Sequence, residues 1–211
     1  MAQFFTIYPG NINLRLIHQA VAIIKGGGIV VYPTDSSYAL GCHLDDKHAV
    51  ARIRGIRGLD DQHHLTLMCR DLSEIANYAR IDNAQFRLLK ANTPGSYTFI
   101  LEATKEVPRR LQHPKRSTIG IRVPDHPVAL ALLEDLGEPM ASSTLMLPDQ
   151  PWPLNDAELI RELLEKKVDA VIDGGAAGAD FTTVIDLTGS VPVLLRQGKG
   201  DVAAFGIEAD A

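Results

Sequence analysis

Apolar positions along the chain change repeatedly between the spacing of a helix and that of a β-strand. Leu14, Ile17, Val21 and Ile24 recur at helical spacing until the glycines at 26–28 end the segment. The continuous apolar run IVVY follows at once and is typical of a buried strand. The chain therefore begins as an alternation of helices and strands.

The same alternation continues to the end of the chain. Strands are predicted for 3–8, 29–33, 65–69, 96–103, 118–124, 139–144, 168–173, 182–187 and 192–197. Further helices are predicted to begin at the capping residues Asp46 and Asp71, and to cover 86–90, 126–137 and 156–167. This pattern favours an α/β (α+β-like) fold in which helices cover one sheet, with residues 1–211 as a single domain. The proline-rich segment 147–156 is predicted to be either a connection or a lid.

Composition limits the classes of function. The chain has 211 residues and a net charge of -5, so it is not a polycation that coats nucleic acid by composition alone. The two cysteines, Cys42 and Cys69, fit a reduced cytoplasmic thiol pair. Neither a leader peptide nor an apolar run of the roughly 18 residues needed for a membrane span is recognisable. We therefore expect a cytoplasmic protein with no membrane partner.

Hydroxyl side chains lie at the ends or openings of several predicted strands. Residues 34–37 (TDSS) follow the run IVVYP, Thr98 lies in SYTF, Ser142 and Ser143 follow PMA, and Thr182 opens TTVID. If these segments converge, their hydroxyl and backbone amide groups would line a cavity suited to phosphate or carboxylate oxygens. Each segment taken alone is also explained as a turn.

Two predicted strands carry an arginine. In TIGIRVP, the side chain of Arg122 lies on the strand face opposite Ile119, Ile121 and Val123. A guanidinium within such an apolar strand needs an anion or a carboxylate partner. Arg196 in PVLLRQG stands in the same situation. The two arginines indicate either an anion site or a pair of structural salt bridges.

Basic residues also form two local clusters. The first contains Arg52, Arg54 and Arg57, and the second contains Lys105, Arg109, Arg110, Lys115 and Arg116. The phosphodiester backbone of RNA could use both clusters, whereas an ordinary solvated surface is the alternative, above all for the second.

Several common sites are not indicated. The sequence has no GxxxxGK[ST] loop, and GKGDVA lies too near the C-terminus for a dinucleotide-binding βαβ unit to follow. The adjacent His63 and His64, and the group Cys42, His43 and His48, lack the spacing of a zinc site, so no protein-ligated metal is expected. No nucleophile elbow supports covalent catalysis.

One ordered series of segments runs through most of the chain, from about residue 16 to residue 200. The segments are GGGIVVYPTDSSYALG, RGLDDQHHLTLM, TPGSYTF, IGIRVPDHP, ASST, GADFTTVID and LLRQG. The series resembles the YrdC/YciO family of threonylcarbamoyl-AMP synthase-like proteins, and its YciO branch most closely. The resemblance implies a single twisted mixed β-sheet with flanking helices and a large concave, positively charged cleft.

The resemblance also implies an activity and its ligands. Synthases of this family condense L-threonine, bicarbonate and ATP, with Mg²⁺, into threonylcarbamoyl-AMP and release pyrophosphate, which is the first stage of a tRNA adenosine modification. Members are also linked to the binding of double-stranded RNA or tRNA. RNA, a nucleotide and L-threonine are therefore the expected partners and ligands.

Matching the motifs assigns roles to particular residues. Thr34 and Tyr38 would lie near the substrate, and Asp35 stands where many synthases have glutamate. Arg57 would replace the lysine of the KxRP motif. The remaining matches are to arginines that would hold phosphates and to residues that would supply hydroxyls, namely Arg122, Arg196, Thr98, Ser142, Ser143 and Thr182.

Two motifs depart from the family pattern. KxRP reads Arg57-Gly58-Leu59-Asp60, and SxN is matched to Ser143-Thr144-Leu145. These changes favour a nucleotide- and RNA-binding protein with weak or altered synthase chemistry. The alternatives are a full L-threonylcarbamoyladenylate synthase and a nucleotide or metabolite sensor that does not bind RNA.

Overall fold

The computed structural model describes residues 1–60 and 65–207, so that His63 and His64 lie outside the described residues. Its helices are α1 (Leu14–Lys25), α2 (Lys47–Arg57), α3 (Leu72–Tyr78), α4 (Asn83–Asn92), α5 (Pro127–Leu136) and α6 (Ala157–Leu164), with short 3₁₀ turns at Arg109–Leu111 and Ala203–Phe205.

The strands within the described ranges form a single mixed sheet. They are β1 (Gln3–Thr6), β2 (Val30–Pro33), β3 (Tyr38–His43), β4 (Thr66–Met68), β5 (Ala79–Arg80), β6 (Tyr97–Ala103), β7 (Thr118–Arg122), β8 (Met140–Thr144), β9 (Ala170–Asp173), β10 (Thr183–Asp186) and β11 (Val193–Arg196). The predicted fold class and the predicted mixed sheet are confirmed.

Helix boundaries follow from local capping chemistry. The Asp46 carboxylate accepts hydrogen bonds from the backbone N–H groups of His48 and Ala49 at the start of α2. Asp71 accepts in the same way from Glu74 at the start of α3. Helix α2 ends at Gly58, whose φ of 63° is a left-handed conformation that favours glycine. Both predicted capping residues are confirmed.

The order of strands across the sheet is β1-β9-β2-β3-β8-β4-β7-β6-β10-β11, and β5 pairs with β6 outside this path. Strands β2 and β3 form an antiparallel pair in which Pro33 opposes Tyr38, joined by the polar turn 34–37. The sequence pattern did not separate β3 from β2. The turn explains why a buried strand runs directly into polar side chains.

Helices cover the two faces of the sheet unequally. Helices α1 and α5 pack on one face over β2 and β9, in a core that includes Ile17, Val21, Tyr32, Leu132 and Ile172. Buried side chains of α2, α3, α4 and α6 belong to the larger core, which includes Leu40, Leu67, Phe99 and Ile121. On the first face, the strands from β8 to β10 form the floor of a cavity.

None of the helices in the described ranges is long and apolar enough to cross a lipid bilayer.

The segment after β11 is attached to the sheet by one buried threonine. The Thr183 hydroxyl donates to the Gly200 carbonyl at 2.7 Å and accepts from the Gly198 N–H at 3.0 Å. Gly198 is required there because a Cβ atom would lie 2.3 Å from the Phe181 carbonyl oxygen. Thr183 therefore anchors the residues that follow Arg196.

We expect Thr183→Val to lower the free energy of unfolding by about 1–3 kcal/mol, because the isosteric side chain leaves the buried Gly200 carbonyl and the partly buried Gly198 N–H without their hydrogen bonds to the hydroxyl. Urea denaturation would measure the change. Thr6→Val, at an exposed position of β1, is the matched control and should change stability by no more than about 0.5 kcal/mol. Equal effects of the two substitutions would contradict the anchoring role of Thr183.

Candidate functional site

The open part of the first sheet face forms a cavity of about 380 Å³. Its floor comes from side chains of β3, β4, β6, β7, β8 and β10, so the site lies on the face of the sheet and not only beyond the carboxyl ends of its strands. The predicted site residues that line it are Thr34, Arg57, Thr98, Arg122, Ser142, Ser143, Thr182 and Arg196. The convergence predicted from the hydroxyl-bearing segments is therefore present.

Arg122 joins the cavity to a buried ion pair. Its Nη2 lies 2.5 Å from Asp35 Oδ1, and the side chains are 5% and 11% exposed. Asp35 also accepts hydrogen bonds from the Ser96 hydroxyl and from the backbone N–H of Asp125. Burial raises the pKa of Asp35, but Arg122 and the Ser96 hydroxyl outweigh burial and hold it below its usual value. Asp35 is ionised and lies beside the cavity.

Arg57 and Arg196 have no carboxylate partner within salt-bridge distance in the described ranges. Arg57 Nη1 donates to Ser143 Oγ at 2.7 Å and to the Thr144 carbonyl at 2.5 Å. Arg196 donates from Nε and Nη2 to the Thr182 carbonyl at 3.1 and 3.0 Å. Burial and the charge of Arg196 lower the pKa of Arg57, and burial lowers that of Arg196. Arg57 is half-buried and Arg196 is exposed, and neutral acceptors hold both guanidiniums, so that no carboxylate in the described ranges compensates their charges.

Hydroxyl groups are ordered by bonds to one another. Thr34 Oγ1 donates to the Ser37 carbonyl at 2.6 Å and accepts from the backbone N–H groups of Ser36 and Ser37, which shapes the turn 34–37. Thr98 Oγ1 and Thr182 Oγ1 lie 2.9 Å apart. These side chains are held in place before any ligand arrives.

Tyr38 lies outside the cavity, although the family motif places it near the substrate. Its ring is fully buried in the core on the opposite sheet face, and its hydroxyl donates to the Gly175 carbonyl at 2.8 Å. Burial raises the pKa of this hydroxyl to about 12. The reason is the alternation of β3, which turns Ala39 toward the cavity and Tyr38 away from it. Tyr38 fixes the segment around Gly175 instead.

Leu145 is also directed away from the cavity. It is fully buried in the core with Leu154, while Thr144 and Met146 line the cavity wall. The position matched to the asparagine of the SxN motif therefore faces the core and does not line the cavity. The next residue, Met146, places its thioether side chain on the cavity wall.

The first predicted RNA-binding cluster is not one surface. Arg52 binds Asp169 Oδ2 at 2.9 Å and the Lys167 carbonyl at 3.1 Å, whereas Arg57 faces the cavity. Arg54 is buried and donates to the carbonyl of Arg110, which itself donates to the Leu44 carbonyl. A helix rotates each residue by about 100°, so nearby arginines on α2 point in different directions. Among the predicted RNA-binding residues, Arg109 is exposed, next to a separate groove.

Sequence reasoning missed several residues at the site. Phe181 lines the cavity, and the Arg196 guanidinium carbon lies 5.1 Å from its ring centroid. Lys199 donates from Nζ to the Asp35 carbonyl and adds a further cation beside the cavity. Met146 and Gly120 complete the lining. The alternation of β7 could have identified Gly120, because it places this residue on the same strand face as Arg122. No local sequence pattern identifies Lys199 or Phe181.

The thiols of the chain are not placed for chemistry. Cys42 and Cys69 are buried and free, and burial raises the pKa of Cys42 to about 12 and that of Cys69 well above its usual value. In the described ranges, no group of three His, Cys, Asp or Glu side chains is arranged to hold a metal ion.

The arrangement is suited to a polyanion that has an uncharged portion. Three arginines and several hydroxyls supply directional donors, and Leu65, Met68 and Ile100 supply an apolar wall.

The model of the Sua5_yciO_yrdC family, described as "Telomere recombination", matches residues 22–198. The chain belongs to the Sua5/YciO/YrdC family.

Similarity within the Sua5/YciO/YrdC family is strongest to YciO proteins among the relatives compared. YciO of Escherichia coli K12 is 59% identical over 205 residues, which are 97% of this chain and 100% of that protein. The crystal structure of E. coli YciO matches with a TM-score of 0.94 and covers 97% of this chain and 100% of that one. The predicted relation to the YciO branch is confirmed.

Synthases of the family are more distant. A putative threonylcarbamoyl-AMP synthase of Mycobacterium tuberculosis is 33% identical over 201 residues, 94% of this chain and 91% of that protein. The structure of Pyrococcus abyssi Sua5 complexed with L-threonine has a TM-score of 0.85 at 30% identity, covering 92% of this chain and 57% of that one. The chain is thus related to threonylcarbamoyl-AMP synthases.

The opposite directions of Leu145 and Met146 give a matched test. We expect Leu145→Asn to lower the free energy of unfolding by about 2–5 kcal/mol, because an amide would enter the apolar core. Met146→Asn, on the cavity wall, should cost less than about 1.5 kcal/mol. Urea denaturation would compare the two. Equal stability of the variants would show that Leu145 does not face the core.

Proposed function

We propose that the chain binds a nucleoside phosphate in the cavity and carries a weak or altered form of threonylcarbamoyl-AMP synthase chemistry. The observation that carries this proposal is the meeting of Arg57, Arg122 and Arg196 at one cavity lining. Asp35 neutralises Arg122, whereas the other two guanidiniums are held by carbonyl and hydroxyl oxygens.

The uncompensated charge explains why an anion belongs in the cavity. Bringing like charges together in a partly buried site is unfavourable, and an anion that accepts hydrogen bonds from both arginines would remove that cost. An arginine side chain can donate two parallel hydrogen bonds to one phosphate group. Such a charge-assisted contact is worth about 1.5–3 kcal/mol. A polyphosphate provides enough oxygens to reach both Arg57 and Arg196.

Relatives support the identity of the ligands. The threonylcarbamoyl-AMP synthase of P. abyssi is 32% identical to this chain, and P. abyssi Sua5 has been crystallised with L-threonine. MgATP, bicarbonate and L-threonine are therefore the proposed substrates. Magnesium belongs to the nucleotide substrate in this proposal, since Asp35 is already engaged by Arg122, Ser96 and the backbone of Asp125.

The proposed reaction needs positioning more than a strong acid or base. Bicarbonate and the threonine amine condense to a carbamate with loss of one water molecule. A carbamate oxygen then attacks the α-phosphorus while the bond between that phosphorus and the leaving pyrophosphate breaks. The arginines would stabilise the charge that develops on the leaving pyrophosphate. Ordered hydroxyls such as Thr34 would orient the carbamate.

Altered residues support weak or changed chemistry over full synthase activity. Leu59 stands where the KxRP motif has its second basic residue, so a cationic contact to phosphate is missing. Met146 on the cavity wall offers no strong hydrogen bond to a polar substrate. Binding would persist through the three arginines, while stabilisation of the transition state would fall.

We expect the purified protein to form threonylcarbamoyl-AMP from ATP, Mg²⁺, L-threonine and bicarbonate at a rate at least about tenfold below that of a related synthase, because one cationic contact is missing. Mass spectrometry would detect the product. Arg196→Ala should abolish turnover and weaken ATP binding by about tenfold or more, whereas Arg87→Ala on exposed α4 is the matched control.

The outcomes of this assay separate the alternatives. A rate equal to that of the related synthase would indicate full synthase activity. Saturable ATP binding without product would favour a sensor or a different reaction of the same cavity. Failure to bind ATP would contradict the proposed function.

Binding of structured RNA is a second candidate function, favoured by one groove. Its lining includes the exposed cations Arg80, Lys105, Arg109 and Arg116. In the described ranges none of these four forms a salt bridge to a carboxylate. The groove adjoins Glu102 on β6, about 13 Å along the strand from Thr98 at the cavity. The two sites would therefore act on different ligands or on distant parts of one ligand.

Charge reversal in this groove tests the RNA candidate. We expect Arg109→Glu/Arg116→Glu to weaken binding of duplex RNA or tRNA at least tenfold and to reduce the salt dependence by about one unit of slope for each lost phosphate contact. Filter binding at several salt concentrations would measure both. Arg15→Glu/Lys25→Glu, on α1, makes the same change of net charge elsewhere. Equal losses in both double variants would indicate a non-specific charge effect and contradict an RNA site in the groove.

A further inference from the structure

The rim of the cavity carries a pair of aromatic rings. Phe181 lines the cavity, and its ring contacts the Arg196 guanidinium. The Trp152 ring lies next to it, with 6.5 Å between the ring centroids and an angle of 36° between the ring planes. The aromatic surface therefore extends from one of the proposed phosphate-binding arginines to the outside of the cavity.

Trp152 is unusually exposed for its residue type. Its relative exposure is 64%, although a tryptophan ring gains more than most side chains from burial. Among the described residues, the Trp152 ring makes its aromatic contact with the ring of Phe181. An exposed indole at the mouth of an arginine-lined cavity is an apolar surface that a ligand can cover.

The segment 147–156 holds the indole at this position. The backbone N–H of Leu154 donates to the Leu145 carbonyl at 2.9 Å, and that of Ala177 donates to the Asn155 carbonyl at 3.4 Å. Pro148 packs against the end of α2, where a Cβ atom on Gly58 would lie 2.7 Å from the proline ring. The segment is therefore attached to the core, to the 175–181 side of the cavity and to the helix that carries Arg57.

Proline residues further limit the segment. Pro148, Pro151 and Pro153 each restrict φ, so that the segment loses little conformational entropy when a ligand binds. Of the two possibilities raised by its sequence, a connection or a lid, these contacts fit a fixed connection that forms part of the cavity rim. The fixed segment holds the Trp152 ring in position before a ligand binds, so that stacking on the ring needs no rearrangement of the segment.

We propose that Trp152, together with Phe181, stacks against the nucleobase of the ligand whose phosphates are held by Arg57, Arg122 and Arg196. A nucleobase is chosen because it is planar, aromatic and covalently linked to phosphate, and its stacking on aromatic side chains does not require base-specific hydrogen bonds. This inference rests on the proposed nucleoside phosphate site and adds the surface that recognises the base.

The sequence supplies a direct probe of the proposal, since Trp152 is the single tryptophan of the chain. Stacking of a base on its ring should quench or shift the intrinsic fluorescence. We expect MgATP to change the emission in a saturable way, whereas magnesium tripolyphosphate binds without that change. Isothermal titration calorimetry would follow the binding of both compounds independently of fluorescence.

Substitutions separate the base from the phosphates. Trp152→Leu should weaken MgATP binding about tenfold and leave tripolyphosphate affinity within about twofold, because stacking contributes only when a base is present. Trp152→Phe should recover most of the lost ATP affinity. Phe86→Leu, at a 40% exposed position of α4, is the matched control and should leave both affinities unchanged.

The outcomes distinguish failure of this inference from failure of the proposed function. Equal affinities of MgATP and tripolyphosphate, with no effect of Trp152→Leu on either, would overturn base stacking while retaining the phosphate site. Loss of tripolyphosphate binding in Trp152→Leu would also overturn it, since the substitution would then act on the phosphate site. Absence of binding by both compounds would overturn the proposed function and this inference together.

Discussion

The ion pair between Asp35 and Arg122 holds together parts of the chain that are distant in sequence. Asp35 belongs to the turn between β2 and β3, Arg122 to the end of β7, and Ser96, Asp125 and Lys199 add hydrogen bonds from three further segments. Removing one partner of a buried ion pair lowers the free energy of unfolding by about 3–5 kcal/mol, because the remaining charge is buried without a partner and without contact with water. The pair therefore joins the turn 34–37 to the end of β7 beside the cavity, and Asp35 neutralises one of the three arginines that line it.

Helices leave part of one sheet face uncovered, and Arg57 and Arg196 lie at this uncovered part. Helices α1 and α5 pack over the β1-β9-β2 part of one face, and the part from β8 to β10 is the floor of the cavity. This part of the sheet mixes antiparallel pairs (β8-β4 and β7-β6) with parallel pairs (β4-β7 and β6-β10), and polar side chains rather than helices line its open face. Arg57 and Arg196 reach this surface from a helix and from a strand near the edge, and backbone carbonyls fix their directions without cancelling their charges. The cavity of the proposed anion site and the larger core therefore lie on opposite faces of the same strands.

Alternation within one strand was sufficient to predict part of the site from sequence. It placed Arg122 opposite an apolar face, and the structure has it there. Beyond the turn 34–37, the alternation of β3 directs Tyr38 into the core, and just after β8 the side chain of Leu145 also points into the core. Arg52 and Arg57 share a helix but contact different parts of the protein, since their partners come from segments more than 80 residues away. Local patterns therefore predicted the elements and many of the polar groups, whereas long-range contacts decided which groups meet.

The pairing of strands from both ends of the chain has a consequence for synthesis on the ribosome. Strand β1 pairs with β9, and β6, in the middle of the chain, acquires its parallel neighbour β10 only when residues 183–186 are available. Contacts of such long sequence separation form late, because loop closure must precede them. A nascent chain can build the α1 and α2 helices early but has no complete cavity until Thr182 and Arg196 have left the exit tunnel. The lining of the candidate site is therefore completed only after residues 182–196 have been synthesised.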